Sequence, residues 1–222
     1  MHELFHSRTR SGRKAMLKKS SFVFIVMILF FGCGPVVLIP PEIDLIPFER
    51  VGLISFSLEN AAGRIDEIAT QRFLQEIIFH QRGVQIIELG TIDEVLAKIG
   101  ESGIGPDTAA AIGEQFEVTS FFYGKVSVSD VRPKIDINPF IKGMRVQAVF
   151  SISATARFLS TETGVTLWTD SVQMEDSLAY MSMGHGQVPY FDLRDQEDAY
   201  RELVESLIHE LTKDFRPTKR RL

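Results

Sequence analysis

The chain has 222 residues, 45% hydrophobic and 24% charged, with a formal net charge of −5 and a single cysteine. One cysteine excludes an intramolecular disulfide, so packing must hold the fold. The first 32 residues carry +5, which leaves −10 for the rest. An acidic chain is repelled by phosphates, which argues against nucleic acid as a partner.

In chain order, residues 1–15 are basic and patternless. Met1 and Met16 both fit as the start, because MLKKSS is a compact basic lead. Lys18 to Cys33 reads KKSSFVFIVMILFFGC: two lysines, ten apolar residues from Phe22 to Phe31, then Gly32 and Cys33. That is the layout of a secretory signal. The apolar run is shorter than the roughly 20 residues of a transmembrane helix. Phe30-Phe31-Gly32-Cys33 resembles a bacterial lipobox, with Phe30 where Leu is usual and Phe31 where a small residue is usual. The resemblance implies cleavage before Cys33 and lipidation of that residue; an uncleaved anchor with an incidental cysteine is the alternative. Gly34 follows, and the absence of Asp there implies the outer membrane. Residues 34–49, with Pro35, Pro40, Pro41 and Pro47, are expected to be an extended linker. Its reach is at most about 50 Å, which keeps the domain near the membrane.

The folded domain is expected over 50–215. Arg50–Ser57 and Val84–Leu89 are rich in β-formers and read as strands. Between them, Ile65, Ile68, Ala69, Phe73, Ile77 and Ile78 mark one face of a helix over 64–81. Thr91 and Glu94 form a capping-box pattern for the next helix. Pro106 starts a third helix that runs to Phe116. Val118–Asp130 is a strand, and Val131–Lys142, polar and proline-bearing, is expected to be a loop. Met144–Leu159 alternates, with Val146, Ala148, Phe150, Ile152, Ala154, Ala156 and Phe158 inward, and Val149 and Ser151 outward. Thr161–Gly164 is a hairpin turn, and Val165–Met174 is the return strand. Glu175–Arg194 is irregular. Asp195–Phe215 is a closing amphipathic helix, and 216–222 is a basic, frayed tail. The order β-α-β-α-α-β-β-β-α predicts an α/β fold: a single mixed β-sheet with flanking helices.

Three stretches, VGLISFSLENAAG, DTAAAIGEQFEVTSFFYGKV and RFLSTETGVTLWTDSV, resemble the CsgG-like family, whose fold is shared by LpoB and the N-terminal domain of TolB. Trp168 falls at the common aromatic position, and Gly113, Gly124 and Gly164 at the family's glycines. The resemblance implies that fold and a place in the Gram-negative envelope. A CsgG-type channel subunit needs two membrane hairpins with alternating apolar residues. Residues 130–143 and 173–194 stand where those hairpins would be, but prolines and mixed charges argue against them.

Catalytic patterns are missing from the sequence. His80, His185 and His209 have no ligand spacing, and neither a Walker loop nor GxSxG occurs. Met174, Met181, Met183 and His185 could hold a soft metal, but a pliable apolar loop is the expected reading. No cofactor, metal, catalytic residue or small-molecule substrate is expected. The expectation is therefore a non-catalytic lipoprotein of the outer membrane, facing the periplasm. It would serve as an interaction or assembly component of a secretion or cell-wall machinery, of CsgG-accessory type. Its partners would be the membrane, envelope proteins or a second copy of itself. A secretion channel subunit is the alternative. Tyr180, Met181, Met183, Tyr190 and Phe191 are the candidate interaction residues, since clustered aromatic and Met side chains favour interface cores; the alternative is a loop folded back onto its own core.

Overall fold

The computed structural model describes residues 36–60, 64–138, 143–183 and 190–221. Cys33 and its lipidation lie outside the described residues, as do His185 and Pro189. In chain order the elements are β1 (Val36–Ile39), β2 (Arg50–Ile54), β3 (Ser57–Glu59), α1 (Ile65–His80), β4 (Gln85–Gly90), α2 (Ile92–Ile99), α3 (Pro106–Phe116), β5 (Ser120–Val128), β6 (Arg132–Asn138), β7 (Gly143–Ser160), β8 (Thr166–Met183), β9 (Tyr190–Leu193), α4 (Gln196–Leu211) and β10 (Thr218–Arg221). Short 3-10 turns lie at Ile46–Phe48 and Lys213–Phe215.

The chain divides into two units. Residues 41–217 hold an eight-stranded mixed sheet in the order β4-β2-β5-β7-β8-β9, with β3 alongside β5 and β6 alongside β7. The β2–β4 and β2–β5 pairs are parallel, and their crossovers run through helices. From β5 onward each neighbour is antiparallel. This is the expected α/β fold, a single mixed sheet flanked by helices. In the other unit, β1 and β10 form an antiparallel ribbon.

Past Arg50, β2 is apolar and buried from Val51 to Ile54, because both faces of the sheet are covered there. On one face, α1 and α4 bury Phe73, Leu207 and Ile208 with Phe122, Phe150 and Phe158 of the sheet. Phe122 and Phe158 stack at 4.4 Å, and Phe215 meets Phe122 edge-on at 5.6 Å. On the other face, Val95 of α2 and Ala109 and Ile112 of α3 cover Ile54, Leu89, Phe121 and Leu159. The Thr91–Glu94 capping box forms, and Gly100 ends α2 in the left-handed region. Gly124 is glycine for space: a Cβ there would lie 2.6 Å from the Thr155 carbonyl oxygen and 2.5 Å from the Phe56 ring. Gly164 is glycine for conformation, with φ +67 in the β7–β8 turn.

Several expected irregular stretches are ordered. The second half of the proline-rich segment packs into the core, with Leu45 fully buried. Gln81, itself buried, accepts from the Leu45 N–H at 3.0 Å. Its amide donates to the carbonyls of Ile43 at 2.9 Å and Phe215 at 2.8 Å. One side chain thus ties this segment to the end of α1 and to the turn after α4. The basic tail is not frayed, since Thr218–Arg221 is β10. The expected loop at 131–142 contains β6, paired with β7 from Arg132 to Asn138. The irregular stretch after Met174 is the continuation of β8, followed by β9. Val149 and Ser151, expected outside, are buried at 8% and 7% exposure. Near β6 the second face of β7 is partly covered as well, and Ser151 N–H donates to Ser129 Oγ at 2.9 Å.

Candidate functional site

Past Phe150 the strands β6, β7, β8 and β9 run on as a four-stranded platform. Directly paired residues share a face, so the register sorts its side chains. Pro133, Ala148, Ala179 and Leu193 form one row across the four strands. Ile135, Val146, Met181 and Phe191 form the next, and Ile137, Met144 and Met183 the one after. Every member is apolar. The opposite face carries Lys134, Gln147, Tyr180 and Asp192 in one row, and Asp136, Arg145 and Ser182 in another.

The apolar face continues the core face of β7, because Met144, Val146 and Ala148 alternate in phase with Phe150 and Ile152. Its outer members are open to solvent: Ile135 is 60% exposed, Ile137 68%, Phe191 64% and Leu193 68%. Among the described residues, β6 and β9 each pair with a single strand, which leaves each an open backbone edge there.

A β-bulge sets which residues of β8 join this face. The register steps from Val149 opposite Ser177 to Ala148 opposite Ala179, which leaves Leu178 as the extra residue. Arg194 pins the bulge. Its N–H donates to the Leu178 carbonyl at 2.9 Å. Its guanidinium reaches Asp176 at 2.7 Å and Glu202 of α4 at 2.5 Å.

Of the expected interaction residues, Met181, Met183 and Phe191 meet on the apolar face. Tyr180 does not join them: it stands on the polar face, with the Arg145 guanidinium 5.6 Å from its ring centre. Tyr190 is opposite Ser182 in the register, and its side chain lies outside the described structure. Ile135 and Ile137 were missed. Their signal was the alternation Arg-Pro-Lys-Ile-Asp-Ile-Asn over 132–138, hidden by the proline and the charges.

Two other polar clusters are held together by ion pairs and hydrogen bonds. Glu76 of α1, only 7% exposed, meets Arg72 at 2.7 Å, His209 of α4 at 3.2 Å and His80 at 3.7 Å. Burial pushes the His80 imidazole below its ordinary pKa; Glu76 opposes that, while Arg216 and His209 add to it. A shallow cleft on the far face of the sheet is lined by Ser57, Tyr123, Lys125, Thr155 and Arg157. Its cations are engaged, Lys125 with Glu59 at 3.2 Å and Arg157 with the Tyr123 hydroxyl at 3.3 Å. Among the described residues, no three His, Cys, Asp or Glu are grouped to hold a metal ion. No helix among them is long and apolar enough to cross a membrane.

No family model matches the chain, and no curated protein does. Among solved structures the chain is similar to the PelC dodecamer from Paraburkholderia phytofirmans, at 12% identity and a TM-score of 0.42, over 83% of this chain and 98% of that one. It is similar to lipoprotein GNA1162 from Neisseria meningitidis, at 12% identity and a TM-score of 0.37, over 73% and 97%. The LpoB C-terminal domain from Salmonella enterica gives 12% identity and a TM-score of 0.36, over 57% and 82%.

Proposed function

We propose that the chain is a lipoprotein of the outer membrane, held by a lipidated Cys33 with its domain facing the periplasm. It acts without catalysis, as an assembly component of an envelope secretion or cell-wall machinery. The observation that carries this reading is the platform. Ile135, Ile137, Phe191 and Leu193 stand exposed together on one face, and a contiguous apolar patch of this kind favours an interface. Its occupant is a neighbouring copy of the chain. Successive strands of the platform are antiparallel, so β6 and β9 run in opposite directions. The β9 edge of one copy can therefore extend an unbroken antiparallel ladder onto the β6 edge of the next.

Two measurements test this. Metabolic palmitate labels the wild-type protein and not Cys33→Ser; label retained by the Ser variant overturns the anchor. Detergent-extracted wild-type protein sediments as an oligomer; a monomer at micromolar concentration overturns the assembly.

A second reading, a secretion channel subunit, is favoured by the same alternation in the two hairpins. Against it, β6 has seven described residues and β9 four, while a membrane-crossing strand needs about 9–11. Ion conductance by purified oligomers in planar bilayers would favour the channel.

A further inference from the structure

We infer that the β1–β10 ribbon is a membrane-docking element that recognises anionic phospholipid headgroups. Its position rests on the lipidated Cys33 of the proposed function; its chemistry is the ribbon's own. β1 is wholly apolar, Val36-Val37-Leu38-Ile39, and β10 is Thr218-Lys219-Arg220-Arg221, with Leu38 opposite Lys219 and Val37 opposite Arg220. Val37, Leu38 and Ile39 are 41%, 61% and 38% exposed, and Lys219 and Arg220 are exposed beside them. The ribbon thus shows water an apolar strand and a cationic strand, edge to edge.

Two arguments select a bilayer surface as the occupant. The first is position. Only Gly34 and Pro35 separate Cys33 from β1, so at ~3.3 Å per residue Val36 stays within about 10 Å of the anchoring residue. The second is charge. Residues 33–222 sum to −10, so an anionic surface repels most of that chain, and three consecutive cations mark where it can approach. The headgroup region takes both halves of the ribbon: apolar side chains at the acyl boundary, Lys and Arg at the phosphates. The lipid would hold the chain near the bilayer, and the ribbon would make that attachment respond to headgroup charge.

The test uses the wild-type full-chain product reconstituted in vesicles, with amine acylation read residue by residue by mass spectrometry. Lys219 is expected to react at least about fivefold more slowly on vesicles containing phosphatidylglycerol than on phosphatidylcholine alone, with protection lost at about 0.5 M salt. Lys125, engaged with Glu59, reacts equally on both. Arg220→Glu and Leu38→Asp each reduce the protection of Lys219. Equal Lys219 rates on the two vesicle types overturn the inference, and so does protection that is the same on both lipids and insensitive to salt. Palmitate labelling reports the anchor separately. If Cys33 carries no lipid, the uncleaved apolar run still holds the chain at the vesicle, and the Lys219 comparison decides.

Discussion

Replacing Ile135 and Phe191 by serine separates an interface from a core. The two residues sit in one row of the platform and are 60% and 64% exposed. Fully burying such a side chain is worth about 1.5–3 kcal/mol, so covering the exposed part of each is worth about 1–2. The pair then contributes about 2–4 kcal/mol to association, a loss of about 30- to 1,000-fold in affinity. The folded protomer forfeits only the smaller part already buried, so its stability should fall by under about 1.5 kcal/mol and its melting temperature by a few degrees. Sedimentation of the detergent-extracted protein reads the first quantity, and a thermal melt reads the second. Lys125→Ser with Glu59→Ser is the control, on strands other than β6 and β9. It removes the exposed Lys125–Glu59 pair, worth at most about 1 kcal/mol, and should leave association unchanged. If the Ile135/Phe191 variant melts far lower while its oligomer persists, the face is covered by the chain itself and the interface reasoning fails.

Gln81→Leu should cost about 3 kcal/mol in urea unfolding, because it strands the buried Leu45 N–H and Phe215 carbonyl; a loss under about 1 would mean the segment rearranges freely. Phe150→Ala, removing a ring 1% exposed and 4.7 Å from Tyr200, should cost about 3–5 kcal/mol, and a melt within a degree of wild type would place Phe150 outside the core. His80 has a folded pKa below its usual value, chiefly through burial. The unfolded chain therefore takes up the proton first, and stability falls as pH drops from about 7.5 to 5.5. His80→Gln should flatten that slope, and identical slopes would exclude His80 as its source.

Local rules made most of the domain legible. The Thr91–Glu94 box, the apolar stripe from Ile65 to Ile77, and the alternation from Val146 to Phe158 each act over a few residues and survive into the fold. What escaped depends on distant partners. β1 and β10 are strands only through each other, and four residues of VVLI or TKRR carry no signal of that pairing. The burial of Leu45 depends on Gln81, a residue with the ordinary composition of a helix end. β6 failed for another reason. Its proline suggested a loop, yet an edge strand tolerates proline because one side of its ladder is unpaired.

The bulge at Leu178 explains how one pair of strands serves both a core and an exposed face. Below it, β8 turns Val172, Met174 and Asp176 toward the helices. Strict alternation would carry Leu178, Tyr180 and Ser182 onto that same side and give a mixed surface. One extra residue shifts the phase, so that Ala179, Met181 and Met183 join Met144, Val146 and Ala148. The shift also leaves Asp176 at the margin of the core, where Arg194 pairs it while holding the Leu178 carbonyl and Glu202. Arg194 is therefore the joint between the packed half of the sheet and the platform. Of the six residues it aligns, Met183 is 37% exposed and the others are half-buried, and they join the exposed Ile135 and Phe191 in one continuous apolar face. The bulge makes physical sense once those aligned side chains have something to meet.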